Sequence, residues 1–304
     1  MASLYSRFVF SQLSPKPNIH FSKTNAKPLG PLPTFTFKPT LNCTKQDQST
    51  LSSRHFVLVH GAGHGGWVWY KLATKLNEAG HRVSAPDLAA SGINPKRLEE
   101  VNTFEEYSEP LVEVMEAVPA DERVVLVGHS NGGLSVSLAM ERFPQKVAAA
   151  VFTSAAMPSI TNSFVAITKK LIEDVRKDKK DSKDVSGPRR SFSFGPEDLR
   201  TNYYQLCAPE DVTLATMLMR PGKPFFDSSV SRDDFVTAEN HGSVSRVYVV
   251  CNQGRALPRK TQIWMAEMSP ETETIELDGA DNMPMLSVPE ELFSHLVDIS
   301  NRYQ

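Results

Sequence analysis

The run Val124-Val125-Leu126-Val127-Gly128-His129-Ser130-Asn131-Gly132-Gly133 constrains this chain more than any other stretch. Its first four residues are apolar and three are β-branched, which predicts a buried parallel strand. Gly-x-Ser-x-Gly follows at once at Gly128, Ser130 and Gly132, and Leu134 to Phe143 carries apolar residues at helical spacing. Strand, sharp turn and helix form the context in which this motif lifts a serine hydroxyl above the end of a sheet as a nucleophile. The small residues let strand and helix pack closely. The same letters also fit a glycine-rich turn with no catalytic role.

Strand and helix patterns alternate around this unit. His55–His60 reads as a buried strand, followed by Gly61-Ala62-Gly63-His64-Gly65-Gly66-Trp67. A helix over about 66–79 ends at Gly80, with Trp67, Trp69 and Leu72 on its core face, and Arg82–Ala85 is the next strand. A helix over about 104–118 leads into the serine strand, and Val147–Thr153 forms another. The pattern resumes at Arg246–Cys251 and Thr274–Leu277, and an amphipathic helix over about Pro289–Ile299 closes the chain. Such alternation predicts a mostly parallel, doubly wound α/β sheet with helices on both faces. Gly61-Ala62-Gly63 lacks the third glycine and the acidic partner of a dinucleotide site. From about 158 to 240 the alternation stops, and an insertion at that point reads as a lid over the site. The mixed-charge run 176–184 within it reads as a solvated face, with ligand binding the sharper alternative.

The first 53 residues are different material, rich in Ser, Thr, Pro and Asn, with no acidic residue before Asp47. With the Met1-Ala2-Ser3 start they resemble a plastid transit peptide more than a secretory signal; a retained disordered tail is the alternative. The expected organisation is a leader over 1–53 and one domain over 54–304. The remaining length, at 40% hydrophobic and 22% charged overall, suffices for one large core. A formal net charge of −2 favours neither nucleic acid nor an anionic membrane, and no apolar run approaches the ~20 residues that span a bilayer. Cys43, Cys207 and Cys251 show no paired spacing, so neither a disulfide framework nor a CxxC metal site is expected.

A strand ending in His-Gly and followed by glycines offers a backbone N–H, here that of Ala62, to pair with the N–H of Asn131 as an oxyanion hole. His60 reads as a strand-end structural residue against a catalytic alternative. His64 reads as a loop stabiliser against a substrate contact.

Several phrases together resemble the plant methylesterase and hydroxynitrile lyase family of α/β-hydrolases. They are His-Phe-Val-Leu-Val-His-Gly-Ala from His55, Gly-Gly-Trp-x-Trp-Tyr-Lys-Leu from Gly65, Asp-Leu-Ala-Ala-Ser-Gly from Asp87, Gly-His-Ser-x-Gly-Gly from Gly128, Leu-Cys-x-Pro-Glu-Asp from Leu206 and Gly-Ala-Asp-x-Met-x-Met-Leu from Gly279. The resemblance runs from His55 to the C-terminus. It implies an α/β-hydrolase fold with a helical lid, action on small plant metabolites (methyl esters or cyanohydrins), and no metal or organic cofactor. Expected partners are a small-molecule substrate, with no nucleic acid and no membrane, and homodimerisation is left open.

The resemblance also implies an Asp in the turn after Val249-Val250-Cys251 and a His directly after Gly279-Ala280-Asp281. Here Gly254 and Asn282 stand at those positions. An amide cannot serve as a general base near neutral pH, and glycine orients nothing. Loss of a triad base costs about 10⁶ in turnover, with a residual 10³–10⁴ over water from the hole and binding. Weak or absent esterase activity is therefore expected, with Asp281 structural. Ser130 becomes a hydrogen-bond donor beside a retained hole, which suits reactions with an internal nucleophile, such as cyclisation of a monoterpenoid enol of iridoid type or a lyase step. A slow methylesterase and an inactive ligand-binding pseudo-esterase are the alternatives.

Overall fold

The computed structural model describes residues 53–178, 191–223, 225 and 234–304. The leader, Cys43 and positions 179–184 of the mixed-charge run lie outside the described residues. Six strands form one sheet: β1 His55–Val59, β2 Arg82–Ser84, β3 Val124–Ser130, β4 Val147–Ala155, β5 Arg246–Cys251 and β6 Thr272–Leu277. Their order is β2-β1-β3-β4-β5-β6, and every neighbouring pair is parallel. This is the parallel, doubly wound α/β sheet that the alternation predicts, and it fits the α/β-hydrolase fold that the resemblance implies.

The helices are α1 Tyr70–Glu78, α2 Phe104–Ala117, α3 Gly132–Arg142, α4 Phe164–Asp178, α5 Pro196–Asp198, α6 Pro209–Leu218, α7 Arg259–Glu267, α8 Pro284–Ser287 and α9 Pro289–Arg302. Alternation along each strand splits the core in two. Val57 and Val59 join Leu111 of α2, Val136 of α3 and Met265 of α7 on one face. Phe56 and Leu58 join Leu72 of α1 and Leu296 of α9 on the other. Both strand faces are therefore apolar, and each buried side chain of this size contributes about 1.5–3 kcal/mol.

Some boundaries differ from those read in the sequence. The helix over 66–79 begins as a 3-10 turn, Gly66–Trp69, before α1. β4 runs on to Ala155, β6 starts at Thr272, and α9 continues to Arg302. Helix α7 follows β5 directly and has no counterpart in the sequence reading. Between β4 and β5 the described residues add α4, α5, α6 and a short Phe192–Gly222 bridge, but no strand of the sheet.

The strand order fixes where a site can lie. From β1 the chain first adds β2 on one side and then β3 on the other, so the β1/β3 boundary is the switch point of the sheet. A crevice opens at the carboxyl ends of the strands flanking such a point. Gly61 and Ala62 follow β1 there, and Ser130 and Asn131 sit at the end of β3.

Candidate active site

Ser130 ends β3 with φ at +52°, in the left-handed region. A non-glycine residue held there stores about 1–3 kcal/mol, and the surroundings must enforce it. They do so by close approach. A Cβ on Gly61 would lie 2.8 Å from Ser130 Cβ, and one on Gly133 would lie 2.1 Å from the carbonyl oxygen of Ala156. Ala156 N–H in turn donates to the Ser130 carbonyl at 3.0 Å. Helix α3 starts one residue after Asn131, so its positive end faces the serine. Ser130 is half-buried, and its hydroxyl meets no hydrogen-bond partner among the described residues.

The direction of the Ala62 N–H follows from its own peptide plane. The Gly61 carbonyl accepts from His60 Nδ1–H at 2.8 Å and from His64 N–H at 3.2 Å. In a trans peptide the N–H of the next residue points the opposite way, so these two bonds aim Ala62 N–H. Among the described residues neither Ala62 N–H nor Asn131 N–H donates to any acceptor, and both residues line one small cavity.

His60 and His64 are committed to the fold through both ring nitrogens, and His129 through one. His60 Nε2 accepts from Leu88 N–H at 3.0 Å. His64 Nδ1–H donates to the Ala62 carbonyl at 3.0 Å, and Nε2 accepts from the Tyr204 hydroxyl at 2.7 Å. The His64 ring also stacks on Tyr204, and burial pushes its pKa down to about 3. Both ring nitrogens are used, which leaves His64 none to offer a substrate. His129 Nε2–H donates to the backbone carbonyl of Asn282 at 2.7 Å, and burial lowers its pKa to about 4. All three are neutral at pH 7.

Asn282 is 4% exposed, and both ends of its amide are engaged. Its Oδ1 accepts from Arg255 N–H at 2.8 Å and Ala256 N–H at 2.9 Å, and its Nδ2 donates to Ser154 Oγ at 3.1 Å. The side chain thus staples the turn after β5 to the end of β4. Gly254 sits in that turn. A Cβ there would lie 2.7 Å from the Leu257 carbonyl oxygen and 3.0 Å from Gln262 Nε2. The buried Gln262 amide braces the turn by bonding to Cys251 N–H, Cys251 O and Leu257 O at 2.9, 3.1 and 2.8 Å. Asp281 is fully buried and accepts from Met283 N–H at 2.8 Å and Leu206 N–H at 2.9 Å. It ties the insertion to the β6 end. Cys207 lies against the same carboxylate at 3.4 Å, where burial and that charge raise its thiol pKa. Cys251 is buried at the end of β5.

The structure therefore brings Ser130, Ala62 and Asn131 together, backs them with His60, His64 and His129, and uses Asn282 and the Gly254 turn as a brace alongside. The cavity holds about 20 Å³ and is lined by Phe104, Tyr107, Leu134, Phe164, Lys223 and Phe225 besides the two hole residues. That is room for about one water. Burial raises the Tyr107 pKa to about 12, so its hydroxyl stays protonated. The sequence reading missed this wall. Its residues come from α2, α3, α4 and the stretch after α6, and no local pattern joins them. Among the described residues no cluster of three or more His, Cys, Asp or Glu side chains is placed to hold a metal.

Known proteins share the fold. The alpha/beta hydrolase fold family matches residues 54–182. Methyl jasmonate esterase 1 of Vitis vinifera is 46% identical over 255 residues, which cover 82% of this chain and 98% of that protein. Norfluorocurarine synthase 2 of Strychnos sp is 44% identical over 257 residues, covering 82% and 96%. The crystal structure of polyneuridine aldehyde esterase superposes with a TM-score of 0.75 at 44% identity, covering 82% of this chain and 100% of that one.

Proposed function

The chain belongs to the plant methylesterase-like family of α/β-hydrolases, and on that premise we propose that it promotes a non-hydrolytic reaction. The Ala62 and Asn131 N–H groups hold a substrate carbonyl and stabilise the enolate or oxyanion that develops on it. Ser130 donates a hydrogen bond instead of attacking. An internal nucleophile then closes a ring, or a bond breaks in a lyase step, on a small substrate of monoterpenoid or iridoid type. The observation that carries this reading is the Asn282 amide, whose Oδ1 and Nδ2 are occupied by Arg255, Ala256 and Ser154, with no base joined to Ser130 among the described residues. The synthase name of one relative supports the idea that this scaffold is not confined to ester hydrolysis.

Slow carboxylic methyl ester hydrolysis is the second reading. Two of the relatives named above are called esterases, and on those names alone hydrolysis is favoured over cyclisation. A paired assay separates the readings. One arm offers methyl esters and p-nitrophenyl acetate; the other offers a reactive monoterpenoid enol generated in situ, with products resolved by chiral chromatography. A shifted cyclic product without hydrolysis is the expected result. Hydrolysis at ordinary enzymatic rates overturns it, and silence in both arms leaves a ligand-binding pseudo-esterase.

The acid-poor leader is proposed to direct plastid import. A fusion of residues 1–53 to a fluorescent reporter is expected to accumulate in plastids, and cytosolic fluorescence would overturn this.

A further inference from the structure

His64 holds the peptide planes on both sides of Ala62. Its own N–H donates to the Gly61 carbonyl at 3.2 Å, in the plane that carries the Ala62 N–H. Its Nδ1–H donates to the Ala62 carbonyl at 3.0 Å, in the next plane. Two pinned planes leave the residue between them little freedom in φ and ψ. The ring is held in turn by the Tyr204 hydroxyl, 140 residues further along the chain, at 2.7 Å. A carbonyl can only accept, so Nδ1 carries the proton, Nε2 carries the lone pair, and the hydroxyl is the donor. Burial raises the Tyr204 pKa well above the ordinary 10, which keeps that proton in place. Both residues are buried, at 3% and 1% exposed, and their rings stack.

Tyr204 lies in the insertion between β4 and β5, and its stretch is tied down on either side. Leu206 N–H donates to Asp281 at 2.9 Å. Ala256 N–H donates to the Asn202 carbonyl at 3.2 Å, and the Arg255 guanidinium donates to the Thr201 carbonyl at 2.9 Å. The hydroxyl thus reaches His64 from a base fixed to the turn after β5 and to the segment after β6.

We infer that Tyr204 is a positioning residue of the oxyanion hole: its hydroxyl sets the His64 ring, and His64 sets the direction of the Ala62 N–H. The inference rests on reading the Ala62 and Asn131 N–H groups as the carbonyl site. Tyr204→Phe keeps the ring and removes one oxygen. Nε2 is then a buried acceptor without this donor, and the imidazole relieves that by turning, at the expense of its bond to Ala62. A tyrosine that only filled the core would lose stability in this variant and change nothing at Ala62.

The test is 15N relaxation of the backbone amides in the full chain, with turnover measured alongside. The native Ala62 amide is expected near the rigid-backbone order parameter of about 0.85, and in Tyr204→Phe it is expected to fall toward about 0.6. The Asn131 amide is expected to stay rigid in both, which reports an intact fold. In whichever arm of the paired assay the native protein turns over, enol or ester, kcat is expected to fall about tenfold in Tyr204→Phe with KM unchanged, because the hole acts on charge that develops in the transition state. His64→Gln, whose amide supplies one donor and one acceptor, is expected to retain more of that turnover than His64→Ala. A native Ala62 amide that is already flexible, one that stays rigid in Tyr204→Phe, a rise in KM alone, or a His64→Gln variant no better than His64→Ala would each overturn the inference. A native protein that turns over neither substrate overturns the proposed activity, and the order parameter then decides this inference by itself. Turnover of the enol that Tyr204→Phe leaves untouched keeps the activity and sinks the inference.

Discussion

Gly61 backs directly onto Ser130: a Cβ on the glycine would sit 2.8 Å from the Cβ of the serine. The same point lies 3.1 Å from His129 Nδ1 and 3.3 Å from the His129 carbonyl oxygen. There is no slack on that side of the turn. The left-handed serine, the loop that carries Ala62 and the end of β3 occupy one close contact.

Gly61→Ala therefore tests positioning. The methyl group forces Ser130 and the Ala62 peptide apart by several tenths of an ångström. Displacements approaching 1 Å cost about 10² in rate, so turnover of the true substrate is expected to fall by about one to two orders of magnitude. Steady-state kinetics with a melting curve checks it. Unchanged turnover in a folded variant means that Ser130 and the hole take no part in the reaction.

Asn282 has a measurable structural role. Asn282→Ala strands the N–H of Arg255 and leaves that of Ala256 with the Asn202 carbonyl at 3.2 Å; the stranded donor costs about 1–3 kcal/mol. The expected loss is about 2 kcal/mol in urea unfolding. Asn282→Asp keeps both acceptor bonds and is expected to retain most of the stability. Equal stability of the Ala variant and the native chain would mean that the turn finds other partners.

Asn282→His returns an imidazole to the position where the family resemblance implies one. A positioned base is worth about 10²–10⁴, so methyl ester hydrolysis is expected to rise by about 10². Adding Gly254→Asp is less simple than it reads, because its Cβ would lie 2.7 Å from the Leu257 carbonyl and the turn must shift to admit it. Hydrolysis measured with and without the second change shows which obstacle matters. No rise in either variant means that something other than the missing base limits hydrolysis.

Acid lability is the fourth expectation. Burial holds His64, His129 and His241 near pKa 3, 4 and 4, against an ordinary 6.5. The unfolded chain binds protons there that the native chain does not. Stability is thus fully present above pH 6.5 and declines as pH falls toward 4, by up to about 1.4 kcal/mol per pH unit for each histidine. Urea unfolding at pH 7.5, 6.5 and 5.5 checks this. Lowered carboxyl pKa values at Glu141 and Asp174 act only below about pH 4.5, so they do not blur the upper window. A flat profile between pH 6.5 and 5.5 would show that the histidines gain solvent access.

Local pattern carried most of the sheet and the serine turn. β3, β4 and β5 are apolar on both faces and bounded by glycine, proline or charge, so they stand out in the sequence. Helix α7 did not, because its buried residues include Thr261 and Gln262. Helix α6 did not because it is apolar on both sides: Val212 and Ala215 are buried, while Met217 and Leu218 are exposed. Gly254 and Asn282 were legible as departures. Their engagement by Gln262, Ser154, Arg255 and Ala256 was not, since those contacts join the turn after β5, helix α7 and the ends of β4 and β6.

Arg220 links the strip at 219–223 to the loop that carries Ala62 through its bond to Gly63, and to the 92–96 loop through three carbonyls. The roof of the chamber and one of the two donors inside it are in this way a single mechanical piece. Covering the chamber and setting one of its donors are therefore a single mechanical task, shared by one arginine.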